Sequence, residues 1–257
     1  MTTEDWNLFL DGNPAYDEQP AEEFMVSDLT VGLVHYTAKD SDVAAAARVS
    51  TIGATHEDVV DLSRDAGLIN YLMRNRHGSP FEHNSMTFFI QAPIFVFREF
   101  HRHRVGWSYN EESARYRELE KKFYAPGPDR PLQQTGKPGA YEYVAGTEHQ
   151  HSVVWHELSL AYVQAWDSYQ RMLAAGVARE VARLSLPVGV LSSMYATCNA
   201  RSLMHFLSLR TQDERAKVKS FPQREIAMVA EKMETEWAKL MPLTHEAFNN
   251  NNGRVAP

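Results

Sequence analysis

Residues Ser85 to Ala92 form a short β-rich run that stops at Pro93, and this switch restricts the fold more than any other feature of the sequence. Proline's fixed φ and missing N–H suit the first position of a helix. The pattern therefore predicts a strand that hands over directly to a helix running from Pro93 to Arg104. Phe95, Val96, Phe97 and Phe100 make the start of that helix strongly apolar, whereas Arg98, Arg102 and Arg104 charge the rest of it. A helix that begins buried and ends charged borders a cavity.

The fifteen residues from Arg102 to Tyr116 hold fixed cations, a histidine, carboxylates and hydroxyls. Five arginines, Arg98, Arg102, Arg104, Arg115 and Arg117, gather here in a chain whose net charge is -7. Guanidinium forks match phosphate and carboxylate geometry, so the stretch reads as a site for one small anionic ligand. The overall acidity argues against nucleic acid, which demands a broad basic face. No apolar run approaches the roughly 20 residues that span a bilayer, and Met1 to Asp5 lacks the basic start of a secretory signal, so the expectation is a cytoplasmic protein without a membrane partner. At 257 residues and 44% hydrophobic content the chain can bury one large core, with or without appendages. A single cysteine, Cys198, excludes an intrachain disulfide framework and suits a reducing compartment.

Along the chain, the residues before Leu29 are acidic and read as an arm, with Trp6, Leu8, Phe9 and Leu10 available for local docking. Leu29 to Tyr36 alternates as a first strand, and Ser41 to Val49 and Leu62 to Asn75 have helical spacing. Phe123 to Lys137, rich in Pro, Gly, Gln and Asp, reads as a long loop. Trp155 to Ala174 predicts a helix stopped at Gly176, followed by Arg179 to Leu186, which closes at Pro187. Leu191 to Leu209 is apolar enough for a buried helix or a broken pair, and Glu225 to Leu240 for an exposed amphipathic helix. Asn249 to Asn252 read as part of a tail. The domain limits are residues 1–28 for the arm, 29–246 for the folded domain and 247–257 for the tail. There is no internal repeat and no glycine-rich phosphate loop.

Three clusters carry chemistry. His77-Gly78-Ser79-Pro80-Phe81-Glu82-His83 invites a metal, but its spacing fits neither the zinc-protease motif nor its inversion, so no metal is expected. It reads as a polar turn whose Ser79 and neighbouring amides face a phosphate or ring. In the second cluster Arg98 and Arg102 lie one turn apart, as do Glu99 and His103, while Glu112 and Arg115 have the spacing of a simple ion pair. In the third, Arg179 and Arg183 share a face, as do Arg201 and His205. Arg210 lies about 180° from Arg201 on an ideal helix. Either the helix ends before Arg210, or its two faces address sites in different subunits. Cys198, amid apolar residues, reads as a small hydrophobe.

The second cluster resembles the signature of the flavin-dependent thymidylate synthases, in which Arg-His-Arg is followed by a serine in a Ser-x-Arg-Tyr context. Here that serine is Ser113, one residue further from Arg104 than the usual family spacing. The resemblance extends through Ser79 to His83, Ala92 to Val96, Arg179 to Arg183 and Asn199 to Met204, and covers roughly residues 29 to 240.

It implies an α+β fold, a single compact domain with a β-sheet flanked by helices, in a homotetramer whose active sites are shared between subunits. It also implies FAD, NADPH, dUMP and methylenetetrahydrofolate, with reductive methylation of dUMP to dTMP and release of tetrahydrofolate. On the resemblance, Ser79, Arg102, His103, Arg104, Glu111, Asn199, Arg201 and His205 map to flavin-contacting positions. Glu99, Arg102, Glu111, Ser113, Ala114, Arg115, Arg183 and Arg210 map to nucleotide-contacting ones, with glutamine replacing Glu99 in some relatives. Arg210 occupies the position that polarises the uracil. Two other readings stand beside this one: cysteine-dependent thymidylate synthesis through Cys198, and a nucleotide-sensing protein without catalysis.

Overall fold

The structure is a computed structural model that describes residues 21–53, 62–137 and 140–257. Trp6, Leu8, Phe9 and Leu10 lie outside the described residues. In chain order the elements are α1 (Ala21–Phe24), β1 (Met25–Val26), β2 (Thr30–Tyr36), α2 (Asp40–Ile52), α3 (Leu62–Arg74), a 3-10 turn (Ser79–Glu82), β3 (Met86–Pro93), α4 (Ile94–Phe100), β4 (Trp107–Glu111), β5 (Phe123–Tyr124), β6 (Gln133–Lys137), β7 (Ala140–Val144), α5 (Glu148–Ala174), α6 (Arg179–Ala182), a 3-10 turn (Arg183–Ser185), β8 (Leu191–Cys198), α7 (Ala200–Arg210), α8 (Arg224–Leu240) and α9 (Pro242–Asn250). The fold is α+β.

The main sheet has the order β2-β3-β8-β4, and each neighbouring pair is antiparallel. Met86 and Trp107 both oppose Cys198, while Pro93 opposes Leu191 and Glu111 opposes Met194. The sheet thus has a near end, where β3 and β4 begin and β8 finishes, and a far end, where β8 begins.

Alternation along β3 sends Met86, Phe88, Ile90 and Ala92 into the core, where they meet Met194, Ala196 and Cys198 of β8. Helices cover that face with Leu203, Met204, Phe206 and Leu207 of α7 and Ile226, Val229, Met233 and Trp237 of α8. On the opposite face Thr87 bonds Thr197 at 2.9 Å, and Phe89 meets Tyr195 edge to face at 6.2 Å. A smaller apolar cluster joins Phe24, Phe123 and Tyr162 beneath α5.

Four sequence expectations change. The helix after Pro93 ends at Phe100 rather than Arg104, because the chain must turn for β4 to reach β8. Leu191 to Leu209 is a strand and a helix in series, since the inner face of β8 (Met194, Ala196, Cys198) runs on into the apolar face of α7 without a break in the sequence pattern. The stretch from Phe123 to Lys137 contains β5, which pairs with β1, and β6, which forms a hairpin with β7. The amphipathic α8 is not an exposed helix, for one face of it lines the core.

Both ends of the described chain are also seated. Phe24 is 1% exposed, and Arg254 is 2% exposed. Among the described residues no helix is long and apolar enough to cross a membrane.

Candidate active site

Asn199 sits where β8 becomes α7, and its side-chain oxygen accepts from Ser202 N at 2.9 Å, an N-cap. Asn84 Oδ1 accepts from Ala200 N at 2.8 Å, and Ser202 Oγ donates to Val105 O at 2.9 Å. These bonds hold the Ser79–Glu82 turn, the Arg102–Trp107 segment and the start of α7 together at the near end of the sheet. Gly106 has φ +69°, and a Cβ there would lie 2.1 Å from Ser202 Oγ, so glycine is needed for both conformation and space.

Between these segments lies a cleft of about 430 Å3 whose walls include His103, Arg104, Asn199, Arg201 and His205. Five of the eight flavin-mapped residues therefore meet in one cleft. Arg201 pairs with Glu82 at 2.5 Å and donates from Nε to Pro257 O at 2.7 Å. Its guanidinium packs where a side chain at Gly78 would be, beside the exposed Ser79. Neither Glu82 nor Pro257 is among the residues that the family resemblance maps to the site. Glu82 was visible within its cluster, whereas nothing local in sequence marks Pro257 as a partner of Arg201.

α7 continues unbroken to Arg210, so the alternative of an early helix end is not realised. Its two faces address different groups. Arg201 meets Glu82, while Arg210 pairs with Glu99 at 2.5 Å and donates from Nε to His103 Nε2 at 3.1 Å. An arginine only donates, so His103 accepts at Nε2 and holds any proton of its neutral form at Nδ1. Burial, reinforced by Arg210 and His205, drives the His103 pKa down to about 4. Burial and the cations Arg201 and Arg76 lower that of His205 as well. For Glu99, burial raises the pKa and outweighs the pull of Arg210, with Glu225 adding to the rise. Tyr109 OH lies 2.8 Å from His103 O and 3.0 Å from Phe100 O, so its one proton is shared between two carbonyls of the turn below His103.

The remaining mapped residues lie elsewhere. Arg102 is exposed in the turn after α4, whereas Glu111 ends β4 at the far end of the sheet and accepts from Ser192 Oγ at 2.8 Å. Ser113 Oγ accepts from Arg115 N at 3.3 Å, and Ala114 is buried. Arg115 pairs with Glu180 at 3.1 Å and Glu112 with Arg117 at 3.5 Å, so the simple Glu112–Arg115 pair does not form. Arg183 is exposed. Four strand steps separate Trp107 from Glu111, roughly 13 Å. One chain therefore carries its cationic groups at both ends of the sheet.

Cys198 is 3% exposed in the central strand, and burial pushes its thiol pKa far up, so no thiolate nucleophile is prepared there. Among the described residues no group of three or more His, Cys, Asp or Glu is placed to hold a metal ion.

Two outcomes follow from this geometry. Gly106→Ala should destabilise the chain by about 2 kcal/mol through the left-handed φ and the displaced Ser202, lowering the melting temperature by roughly 4–8 °C in calorimetry. His103 has a folded pKa of about 4 against the ordinary 6.5, so as pH falls the unfolded chain takes up the proton first. Stability should thus decline between about pH 6.5 and pH 4, and His103→Gln should flatten the melting-temperature profile across that window, leaving a smaller slope from His205.

Residues 32–243 match the family described as thymidylate synthase complementing protein. A flavin-dependent thymidylate synthase from Streptomyces avermitilis is 68% identical over 246 residues, which cover 95% of this chain and 98% of the relative. Another from Tropheryma whipplei is 54% identical over 233 residues, covering 90% and 96%. Among solved structures, the UMP/dUMP methylase PolB from Streptomyces cacaoi bound with 5-Br dUMP has TM-score 0.85 at 58% identity, covering 91% of this chain and 100% of that one. Its complex with 5-Br UMP has TM-score 0.84 at 57% identity, covering 91% and 99%. With sequence similarity and backbone likeness agreeing over nearly the whole chain, and the cleft formed by the motifs that carry the resemblance, the chain belongs to the flavin-dependent thymidylate synthase family.

Proposed function

We propose that this chain methylates C5 of the uracil of dUMP to give dTMP, with methylenetetrahydrofolate as one-carbon donor and NADPH as the source of reducing equivalents for FAD. The observation that carries the reading is the meeting of His103, Arg104, Asn199, Arg201 and His205 in one cleft, with Arg210 bonded to His103. The solved relative PolB, whose structures hold 5-Br UMP and 5-Br dUMP, supports a uridine nucleotide as the ligand class.

The residues present suit a flavin dinucleotide. Arg104 and Arg201 offer guanidiniums to a diphosphate, the imidazoles and Trp107 offer flat walls, and the cleft is within the size range of small-molecule sites. When bound, reduced FAD supplies the hydride. Arg210 stabilises negative charge on the uracil ring, which makes C5 nucleophilic without a covalent bond to the protein. It remains protonated throughout and acts electrostatically. His103 stays neutral at physiological pH and presents an acceptor to Arg210, so it orients that guanidinium without competing as a second cation.

Arg115 and Arg183, with Ser113 and the amide of Ala114, would hold the nucleotide phosphate, each charge-assisted contact adding on the order of 1.5–3 kcal/mol. Because these groups stand at the opposite end of the sheet from the cleft, a complete site takes the far end of one subunit and the near end of another. We therefore propose a homotetramer with shared sites, acting in the cytoplasm.

The test is a visible spectrum of protein supplied with FAD, then anaerobic bleaching by NADPH, the response to dUMP and UMP, and assay of dTMP. Absence of a flavin band under all conditions would overturn the reading in favour of a nucleotide sensor. Arg210→Ala should keep its flavin and lose turnover by roughly 100-fold, the scale of one removed transition-state donor. Cys198→Ala should retain most of the turnover, and loss of all activity in a folded, flavin-loaded variant would restore the cysteine mechanism.

A further inference from the structure

Residues 251–257 leave α9 in a conformation that is unfavourable by itself. Asn252, Gly253 and Arg254 have φ of +53°, +61° and +59°, three left-handed residues in succession. Side chains disfavour that region, and such strain persists only where the surroundings over-determine it.

Here they do. Gly253 O accepts from Lys217 N at 3.0 Å, and a Cβ on Gly253 would lie 2.5 Å from that same nitrogen. Asn252 Nδ2 donates to Met73 O at 2.9 Å. Arg254 donates to both carboxylate oxygens of Glu234 at 2.9 Å, to Asn249 Oδ1 and to Thr211 Oγ1 at 3.3 Å, and lies over the Phe248 ring at 4.7 Å. Burial works against the Glu234 carboxylate, but the bonds from His245 and Arg254 overcome it and hold its pKa below the usual value.

The same segment is bonded along α7. Ser208 Oγ lies 2.8 Å from Arg254 O and 2.7 Å from Met204 O, its one proton shared between the strap and its own helix, and Arg201 Nε donates to Pro257 O at 2.7 Å. Thr211, bonded by Arg254, directly follows Arg210. The segment thus grips the first turn of α7, its last turn and the residue beyond.

We infer that residues 251–257 are a strap that sets the position of α7, with Arg254 as the positioning residue for Arg210 and the Pro257 carbonyl as the partner that orients Arg201. The inference rests on the roles given above to Arg201 and Arg210. Glu82 alone would hold one nitrogen of a long, rotatable side chain. A second acceptor at Nε fixes the guanidinium plane and leaves Nη2 without a protein acceptor among the described residues. At the other end, Arg254 reaches α7 through Thr211 and Ser208, so a shift of the strap moves the backbone that carries Arg210. A displacement near 1 Å at such a group can cost on the order of 100-fold in rate.

The test compares Arg254→Met, which keeps length and apolar cover on Phe248, with Arg254→Lys, which keeps the charge. Ser208→Ala removes only the hydroxyl tether and serves if Arg254→Met does not fold. Crystal structures of the flavin-free variants, the FAD dissociation constant, and kcat and KM for dUMP are measured. Arg254→Met should detach Arg201 from Pro257, weaken FAD roughly tenfold and lower kcat roughly tenfold or more with little change in KM, and Arg254→Lys should recover most of both. An unmoved Arg201, or wild-type FAD affinity and kcat in a folded Arg254→Met or Ser208→Ala protein, overturns the strap. If the unmodified protein neither binds flavin nor forms dTMP, the functional reading fails instead, and the crystallographic comparison still decides whether the strap positions α7.

Discussion

The structure depends on one junction, where the central strand β8 gives way to α7 at Asn199. The side chain of Asn199 caps the helix, Asn84 satisfies the next free amide, and Ser202 ties the helix to Val105. Helix starts carry unsatisfied N–H groups, and here the partners come from segments far apart in sequence. Satisfying those groups gathers the three cationic or polar motifs at one end of the sheet. The cleft is a consequence of capping a helix whose other side must stay packed in the core.

Electrostatics in that corner depends on partial burial. Arg210, Glu99 and His103 form a half-buried group in which the guanidinium is the fixed charge and both partners adapt to it. His103 remains neutral because burial and nearby cations disfavour a second positive charge. Glu99 is held above its usual pKa because its loss of water outweighs a single ion pair. The far end of the sheet is different: Arg115 and Glu180 are each about half exposed, so their pair contributes little to stability. Exposed arginines of this kind are available to a ligand or to a neighbouring chain.

Much of the site was legible because its motifs keep their chemistry in short runs. Arg102 to Arg104, Asn199 to His205 and the turn from Ser79 can each be read without knowing how the chain folds. Elements were legible where one face meets water, as with β2, and α2, α3 and α5 begin or end close to the expected residues. The failures have separate causes. β8 is enclosed by strands on both sides and by helices on its inner face, so its pattern resembles a buried helix. β4 is only five residues long and half polar, and β6 is held by its hairpin partner more than by its own composition.

By itself, the sequence determined which residue types are available, the switch from strand to helix at Pro93, and the family signature, because these are properties of neighbours along the chain. Tertiary structure decided that Arg210 meets Glu99 and His103, that Arg201 meets Glu82 and Pro257, and that the cationic groups divide between two ends of one sheet. Those outcomes depend on strand register and on the direction in which α7 leaves β8. Neither is encoded in local spacing, since both are settled by the mutual burial of segments more than a hundred residues apart.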